Sequence, residues 1–206
     1  MKKTIIFATF LGFSSAIFSQ DSEPATTIVD ATSIKFKLYK VAFSNNADCT
    51  SPSVFFESAA GVQADMLTSP TFGKGKMTAG TYRCLMLEVS KLINTTAAGT
   101  CTTPTNNLIC TDTQQSKLIN GDPVTCTGGT GADQKVVLYF TTLSAGNTGT
   151  RALLPPINAS DTTSGLVLSN PIVFPTSKKA ILRIVKALIN SNTCAVSNPT
   201  ISISVP

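Results

Sequence analysis

The clearest pattern in the chain is the alternation of apolar and polar residues within residues 76–93, which read KMTAGTYRCLMLEVSKLI. Leu85, Leu87 and Val89 fall on one side of an extended chain, and the residues between them fall on the other. A period of two is typical of a β-strand with one face on a core and one face in water. The pattern therefore predicts a central strand, with Glu88 in an outward-facing position.

Two residues at the start of this stretch are predicted to have structural roles. Gly80 stands where a tight turn favours a residue that adopts positive φ. Tyr82 lies two residues before Cys84, as in the tyrosine corner of immunoglobulin domains, and we expect a buried ring with a hydroxyl bonded to the backbone. A true immunoglobulin domain is disfavoured, because the only upstream cysteine, Cys49, is close and the chain has no tryptophan.

Other segments show the same two-residue period. Residues 33–43 alternate, but Val41 and Phe43 break the phase, which indicates a β-bulge near Tyr39 or Lys40. Further strands are predicted at residues 54–56, 62–67, 134–143 and 200–205, and as two pieces of 165–174 on either side of Pro171.

Residues 177–189 fit two patterns. Ile181, Val185 and Leu188 recur at helical spacing, with Thr176 or Ser177 before them as a cap. Alternate residues of the same segment also fit a strand, so periodicity leaves both structures open.

The composition changes between residues 94 and 133, where Thr, Gly, Asn and Cys replace apolar residues. We interpret this segment as a Cys-rich loop insertion. The chain has six cysteines, and an even number in an exported chain predicts disulfides, here three, with fifteen pairings allowed. They are Cys49, Cys84, Cys101, Cys110, Cys126 and Cys194. Cys101 and Cys110 are the local candidates for one pair. A structural zinc site is disfavoured, because the chain has no histidine and no CxxC spacing.

Residues 1–20 are predicted to be a signal peptide. Lys2 and Lys3 precede an uncharged apolar stretch that is too short to span a membrane, and cleavage is expected between Ala16 and Gln20. No later apolar run approaches spanning length, so residues 21–206 are expected to form one soluble domain without a transmembrane segment. The net charge of +5 is small and unclustered, which disfavours nucleic-acid binding.

The absence of histidine removes the commonest general base and the usual catalytic triads. Paired carboxylates of a glycosidase would have to come from the few acidic residues. The candidates are Asp30, Asp48, Glu57, Asp65 and Glu88. Solvated acids are the preferred interpretation, and no catalytic, cofactor-binding or metal-binding residue is predicted.

Five segments occur in the order found in a family of uncharacterised bacterial secreted proteins and lipoproteins, a domain of unknown function with an L-P-A-G-x-Y strand motif. They are SIKFKLYKVAF (33–43), VQADML (62–67), MTAGTYRCLMLEV (77–89), SGLVLSNPIVF (164–174) and KAILRIVKAL (179–188). The resemblance implies a transthyretin-like or immunoglobulin-like β-sandwich, implies no activity, and favours a strand at 177–189. The chain departs from the family in its Cys-rich insertion, in lacking a lipid-anchor cysteine, and in carrying Arg183 and Lys186 where the last strand usually has Asp.

These patterns together predict an all-β fold, an antiparallel β-sandwich with a Cys-rich loop insertion. The predicted function is a non-catalytic structural or interaction module of the bacterial cell envelope, either periplasmic or secreted to the cell surface. Its partner would be an envelope protein or a polysaccharide, contacted through loops.

The alternative is a carbohydrate-binding or carbohydrate-active protein. It would need a cleft lined with aromatic rings and two facing carboxylates. The aromatic residues suited to stacking on sugars are few, namely Tyr39, Tyr82 and Tyr139.

Overall fold

The computed structural model describes residues 28–68, 77–129, 133–145, 151, 153–174, 181–190, 194 and 196–204. In these ranges strands are the main regular structure and helix is almost absent, which confirms the prediction of an all-β protein. The predicted signal peptide and its cleavage region lie outside the described residues. No helix in the described part of the chain is long and apolar enough to cross a bilayer.

The strands follow one another along the chain with two short 3₁₀ helices between them. They are β1 (Ile28–Ser44), β2 (Ser53–Asp65), β3 (Gly80–Tyr82), β4 (Cys84–Ser90), β5 (Leu92–Ala97), β6 (Thr105–Leu108), β7 (Gln115–Lys117), β8 (Pro123–Thr125), β9 (Lys135–Thr141), β10 (Leu166–Val167), β11 (Ile172–Phe174), β12 (Ile181–Asn190) and β13 (Val196–Ser204). The 3₁₀ helices are Met66–Thr68 and Gly99–Cys101.

The long strand β1 organises the main sheet, whose central path runs β10-β9-β4-β1-β12-β13. Its first half pairs with β12 and β5, and its second half pairs with β2 and β4. The register shifts between Leu38 and Lys40 against both β2 and β4, which confirms the predicted bulge. The extra residue returns Val41 and Phe43 to the core face that Leu38 occupies.

The strand pairings are antiparallel in the described sheets except for β9 and β10, which run parallel. Two small sheets accompany the main one, the pair β3–β11 and the hairpin β7–β8. The predicted strand pieces around Pro171 are confirmed as β10 and β11, and the segment 177–189 is a strand where it is described, as β12. Residues 54–56 and 62–67 belong to one strand, β2, and its continuation rather than to two strands.

Phe43 lies at the centre of the main core, where it is 2% exposed. Its ring makes edge-on contacts with three other rings, at centroid distances of 6.0 Å to Phe55, 5.8 Å to Tyr82 and 5.3 Å to Phe174. Such pairs contribute about 0.5–1.5 kcal/mol each beyond the burial of their area. These contacts fasten the small β3–β11 sheet over the core face of the main sheet.

The strand β4 has the predicted alternation, but all seven of its residues are buried. Leu85, Leu87 and Val89 pack in the main core, whereas Met86 packs on the opposite side with Leu118 and other residues. The prediction of a water-facing side was therefore wrong, because part of the Cys-rich segment folds back over it. Glu88, predicted to face outward, is 4% exposed.

Part of the segment predicted as a Cys-rich insertion belongs to the main sheet. Residues 94–97 lie in β5 and pair with β1, and β6 pairs with β5. The later part of the Cys-rich segment is anchored by Lys91, which is 1% exposed. Its Nζ donates a hydrogen bond to the carbonyl oxygen of Thr127 at 3.0 Å.

The structure confirms three disulfides, which are Cys49–Cys84, Cys101–Cys194 and Cys110–Cys126. The predicted local pair of Cys101 with Cys110 was wrong. Cys101 follows β5, and Cys194 lies between β12 and β13. Because β5 and β12 both pair with the first half of β1, the sheet brings these two distant cysteines together.

Candidate functional site

Tyr82 is placed as predicted. Its ring is 4% exposed, and its hydroxyl donates a hydrogen bond to the carbonyl oxygen of Thr78 at 2.8 Å. The ring also lies 5.4 Å from that of Phe174, centroid to centroid. These contacts make Tyr82 a packing residue of the β3–β11 layer.

The expectation for Gly80 was wrong, because its φ is outside the left-handed region and the residue lies in a strand opposite Phe174. A Cβ built on Gly80 would lie 3.7 Å from the ring of Tyr82, an ordinary van der Waals distance. The backbone conformation at this position can therefore be adopted by residues other than glycine.

The structure brings two of the five candidate acids next to the same lysine. Glu57 and Glu88 stand on strands either side of β1, and both lie opposite Lys40. The ammonium of Lys40 is 2.8 Å from Glu57, and that of Lys135 is 3.5 Å from Glu88. Each carboxylate therefore forms an ion pair with a lysine of its own.

The other three candidates are separate from this group. Asp48 accepts hydrogen bonds from the backbone and hydroxyl of Thr50. Asp65 accepts from the Ser33 hydroxyl at 2.7 Å and from the N–H of Ile34. Asp30 is exposed on β1.

Sequence reasoning missed a polar network around Asp133. Its carboxylate accepts hydrogen bonds from the ammonium of Lys37 at 3.0 Å, the hydroxyl of Tyr39 at 2.7 Å and the hydroxyl of Ser90 at 2.5 Å. Burial opposes the ionisation of Asp133, but these hydrogen bonds outweigh it and lower its pKa.

The same network raises the pKa of Tyr39 to about 12, through burial first and then through the hydrogen bond and charge of Asp133. Lys135 completes the network with its ammonium 4.5 Å above the Tyr39 ring. Tyr39 therefore keeps its proton and Asp133 its charge at neutral pH. This arrangement holds the end of the Cys-rich segment against β1 and β4, and it is suited to structure rather than to proton transfer.

The candidate site is a groove formed by three loops, which we call the loop groove. Its walls come from residues 48–52, from the turn of the β7–β8 hairpin at 117–121, and from Arg151 with residues 154–157. The groove encloses about 510 Å³. Its lining residues are Asp48, Cys49, Thr50, Pro52, Met86, Lys117, Leu118, Ile119, Asn120, Gly121, Tyr139, Arg151, Leu154, Pro155, Pro156 and Ile157. The volume lies within the range of natural ligand sites, about 300–1,000 Å³.

Two walls of the loop groove are bonded to the main sheet, and the third is held by hydrogen bonds within its own loop. The first carries Cys49, whose disulfide ties it to Cys84 at the start of β4. The second is held where the hydroxyl of Tyr139 donates to the carbonyl oxygen of Lys117 at 2.6 Å. Burial, and then the charge of Glu88, raises the pKa of Tyr139, so this donor stays protonated at neutral pH.

The third wall is held by Asp161, whose side chain is 5% exposed. Its carboxylate accepts hydrogen bonds from the Ser164 hydroxyl at 2.7 Å, the Thr163 hydroxyl at 2.8 Å and the N–H of Ile157 at 3.1 Å. The guanidinium of Arg151 lies 3.3 Å from the same carboxylate. The hydrogen bonds from Ser164 and Thr163 hold the pKa of Asp161 well below its usual range.

The walls of the loop groove offer apolar contact and positive charge. Ile157 is 77% exposed, and Leu154, Pro155 and Pro156 lie beside it. Lys117 and Arg151 supply cationic donors, whereas the single carboxylate of the lining, Asp48, is engaged by Thr50. This combination is suited to binding.

The sequence carried one overlooked signal for this site. The run LLPPI at residues 153–157 places apolar residues and two prolines inside a long loop. The structure buries Leu153 in the main core and leaves Ile157 exposed, so one end of the run anchors the loop and the other contributes an open apolar side chain.

Within the described residues, no group of three or more acidic or cysteine side chains is arranged to hold a metal ion. No protein family, curated protein or solved structure matches this chain.

Proposed function

We propose that this protein is an exported, non-catalytic interaction module that binds a partner through the loop groove. The observation that carries this proposal is the groove itself, whose walls are held by a disulfide and by hydrogen bonds and whose Ile157 side chain is open to solvent. Exposed apolar residues bordered by polar ones are typical of contact surfaces. Fixed walls lower the entropy lost on binding.

The location proposed is the bacterial cell envelope, in the periplasm or at the cell surface. Three disulfides support a compartment outside the reducing cytosol. The bacterial assignment rests on the sequence resemblance described above. The partner would be an envelope protein or polysaccharide.

We also propose that the strands form a β-sandwich. The support is the β3–β11 pair, whose Tyr82 and Phe174 rings pack with Phe43 of the main sheet and so make a second layer. The two layers share one core.

The carbohydrate alternative has less support from the geometry. Tyr139 is the aromatic residue among the described groove walls, and it is 3% exposed with its hydroxyl engaged. A buried ring of this kind cannot stack on a sugar.

A pull-down from the native envelope with the oxidised mature domain tests the proposed function. A partner that binds the wild type should bind Ile157→Ser more weakly, because this change removes an exposed apolar side chain of the groove without altering the core. Val173→Ser is the matched control, since Val173 is 57% exposed on β11 outside the groove. Equal capture by all three proteins would refute the loop groove as the contact surface.

A further inference from the structure

A second hollow adjoins the loop groove. This hollow encloses about 310 Å³ and shares Arg151 and Leu154 with the groove. Its remaining lining is polar, from Thr113, Gln114 and Gln115. The two adjoining hollows, which we call the track, each have both apolar and polar surface and share Arg151.

The shape of the track indicates the kind of ligand. Both hollows are open to solvent, so part of the surface of a bound ligand would stay uncovered. Small molecules are usually buried over about 70–90% of their surface in their sites. An extended chain that continues beyond the track fits this geometry better than a small molecule.

The charged side chains of the track indicate the chemistry of such a ligand. Arg151 donates through Nε to Ser164 at 3.0 Å and through one terminal nitrogen to Asp161 at 3.3 Å, yet its side chain is 45% exposed. A guanidinium has five N–H donors, so donors remain for a ligand. Lys117 is exposed and has no ion-pair partner among the described residues. A carboxylate is the natural complement of these two cations.

We propose that the track binds an extended acidic peptide segment of a partner protein. An apolar side chain of the peptide occupies the end lined by Leu118 and Ile157. A neighbouring Asp or Glu pairs with Arg151 and Lys117. This inference rests on the proposed function and adds the chemical class of the partner.

The test is selection from a random heptapeptide library displayed on phage, panned against the oxidised wild-type protein. The enriched peptides should carry Asp or Glu beside Leu, Ile, Val or Phe. Synthetic copies of the most enriched sequences, measured by fluorescence anisotropy, should bind less tightly as salt rises, because exposed charges are screened.

Two groove variants and their controls give the expected changes in affinity. Ile157→Ser should lower the affinity for the selected peptides roughly tenfold, because less apolar surface is buried on binding. Lys117→Gln should weaken them about threefold or more and reduce the salt dependence. Val173→Ser and Lys35→Gln remove an exposed valine and an exposed lysine outside the track and should leave binding unchanged.

The proposal is overturned if no peptide is enriched, if the enriched peptides lack an acid, or if both groove variants bind as the wild type does. Groove-dependent binding of phosphatidylglycerol vesicles without peptide binding would also overturn it in favour of a lipid. If no peptide binds while capture of a partner still depends on Ile157, the peptide class is wrong and the proposed function stands. If neither peptide binding nor partner capture depends on the groove, the peptide proposal and the proposed function are both wrong.

Discussion

At the scale of single residues, Tyr82 shows how a short motif specifies packing. Its hydroxyl is bonded to Thr78, and its ring contacts those of Phe43 and Phe174, which also contact each other. The structure therefore uses both ends of the side chain, the ring for apolar burial and the hydroxyl for a backbone carbonyl.

Replacing Tyr82 should separate these two contributions. Tyr82→Phe is expected to lower the free energy of unfolding by about 1 kcal/mol, the worth of one hydrogen bond. Tyr82→Ala should lower it by about 3–5 kcal/mol, since it also leaves a cavity. Urea unfolding of the oxidised proteins measures both changes. If Tyr82→Ala unfolded at the same urea concentration as the wild type, the ring would not be part of the core.

Two glycines should respond differently to substitution. Gly165 has φ of +74°, and a Cβ there would lie 3.0 Å from a backbone carbonyl oxygen, so Gly165→Ala should cost at least about 1–2 kcal/mol. Gly80 lacks positive φ and has room for a methyl group, so Gly80→Ala should change stability by less than about 0.5 kcal/mol. Thermal melts of the two variants decide the matter, and a larger loss for Gly80→Ala would contradict the observed backbone.

Asp161 should make stability depend on acid pH. Because its folded pKa is depressed, its contribution is fully present above the unfolded value of about 3.9 and is lost as pH falls through the folded value. Asp161→Asn should therefore cost about 1–3 kcal/mol at neutral pH, the worth of hydrogen bonds to a charged group. The free energies of unfolding of variant and wild type should begin to converge as the pH falls below about 4. Asp30→Asn, at an exposed position, is the control. A difference that stays constant down to pH 2 would exclude this ionisation as the cause.

At the scale of elements, the disulfides connect segments that are far apart in the chain. Cys101–Cys194 spans 93 residues, whereas Cys110–Cys126 spans 16. The first joins the end of β5 to the β12–β13 connection, and the second stays within the Cys-rich segment.

Removing these bridges should destabilise the protein in the order of loop length. Chain entropy predicts a loss of about 4.7 kcal/mol for Cys101→Ser with Cys194→Ser, and about 3 kcal/mol for Cys110→Ser with Cys126→Ser. Denaturant unfolding of the two double variants tests the order. Peptide mapping without reduction provides the control, since each variant must keep its other two bridges. The reverse order would mean that native contacts of the Cys-rich segment outweigh the entropy of the unfolded chain.

At the scale of the whole molecule, the proposed export predicts the first residue of the mature chain. Protein recovered from the cells that make it should begin after a cleavage between Ala16 and Gln20, because the apolar stretch before this point is typical of a signal peptide. Mass spectrometry of the intact protein measures this, and the cytosolic fraction is the control. A mature chain that still begins at Met1 would refute removal of the signal.

Most strands of this protein can be predicted from local patterns in its sequence. The phase break at Val41 and Phe43 located the bulge in β1, Pro171 separated β10 from β11, and the alternation from Leu85 to Val89 identified the core face of β4. Periodicity records which side of a segment is apolar, because successive side chains of a strand point to opposite faces. The even number of cysteines likewise predicted three disulfides.

The cover on the second face of β4, the pairing of the cysteines and the position of the loop groove follow from the folded structure. Glu88 was expected in water because nothing local to β4 shows that the hairpin bearing Leu118 folds over it. Cys101 reaches Cys194 across 93 residues because two strands share β1. These features depend on contacts between segments distant in sequence. A pattern confined to one segment contains no information about its partner, so such contacts become visible only when the chain is folded.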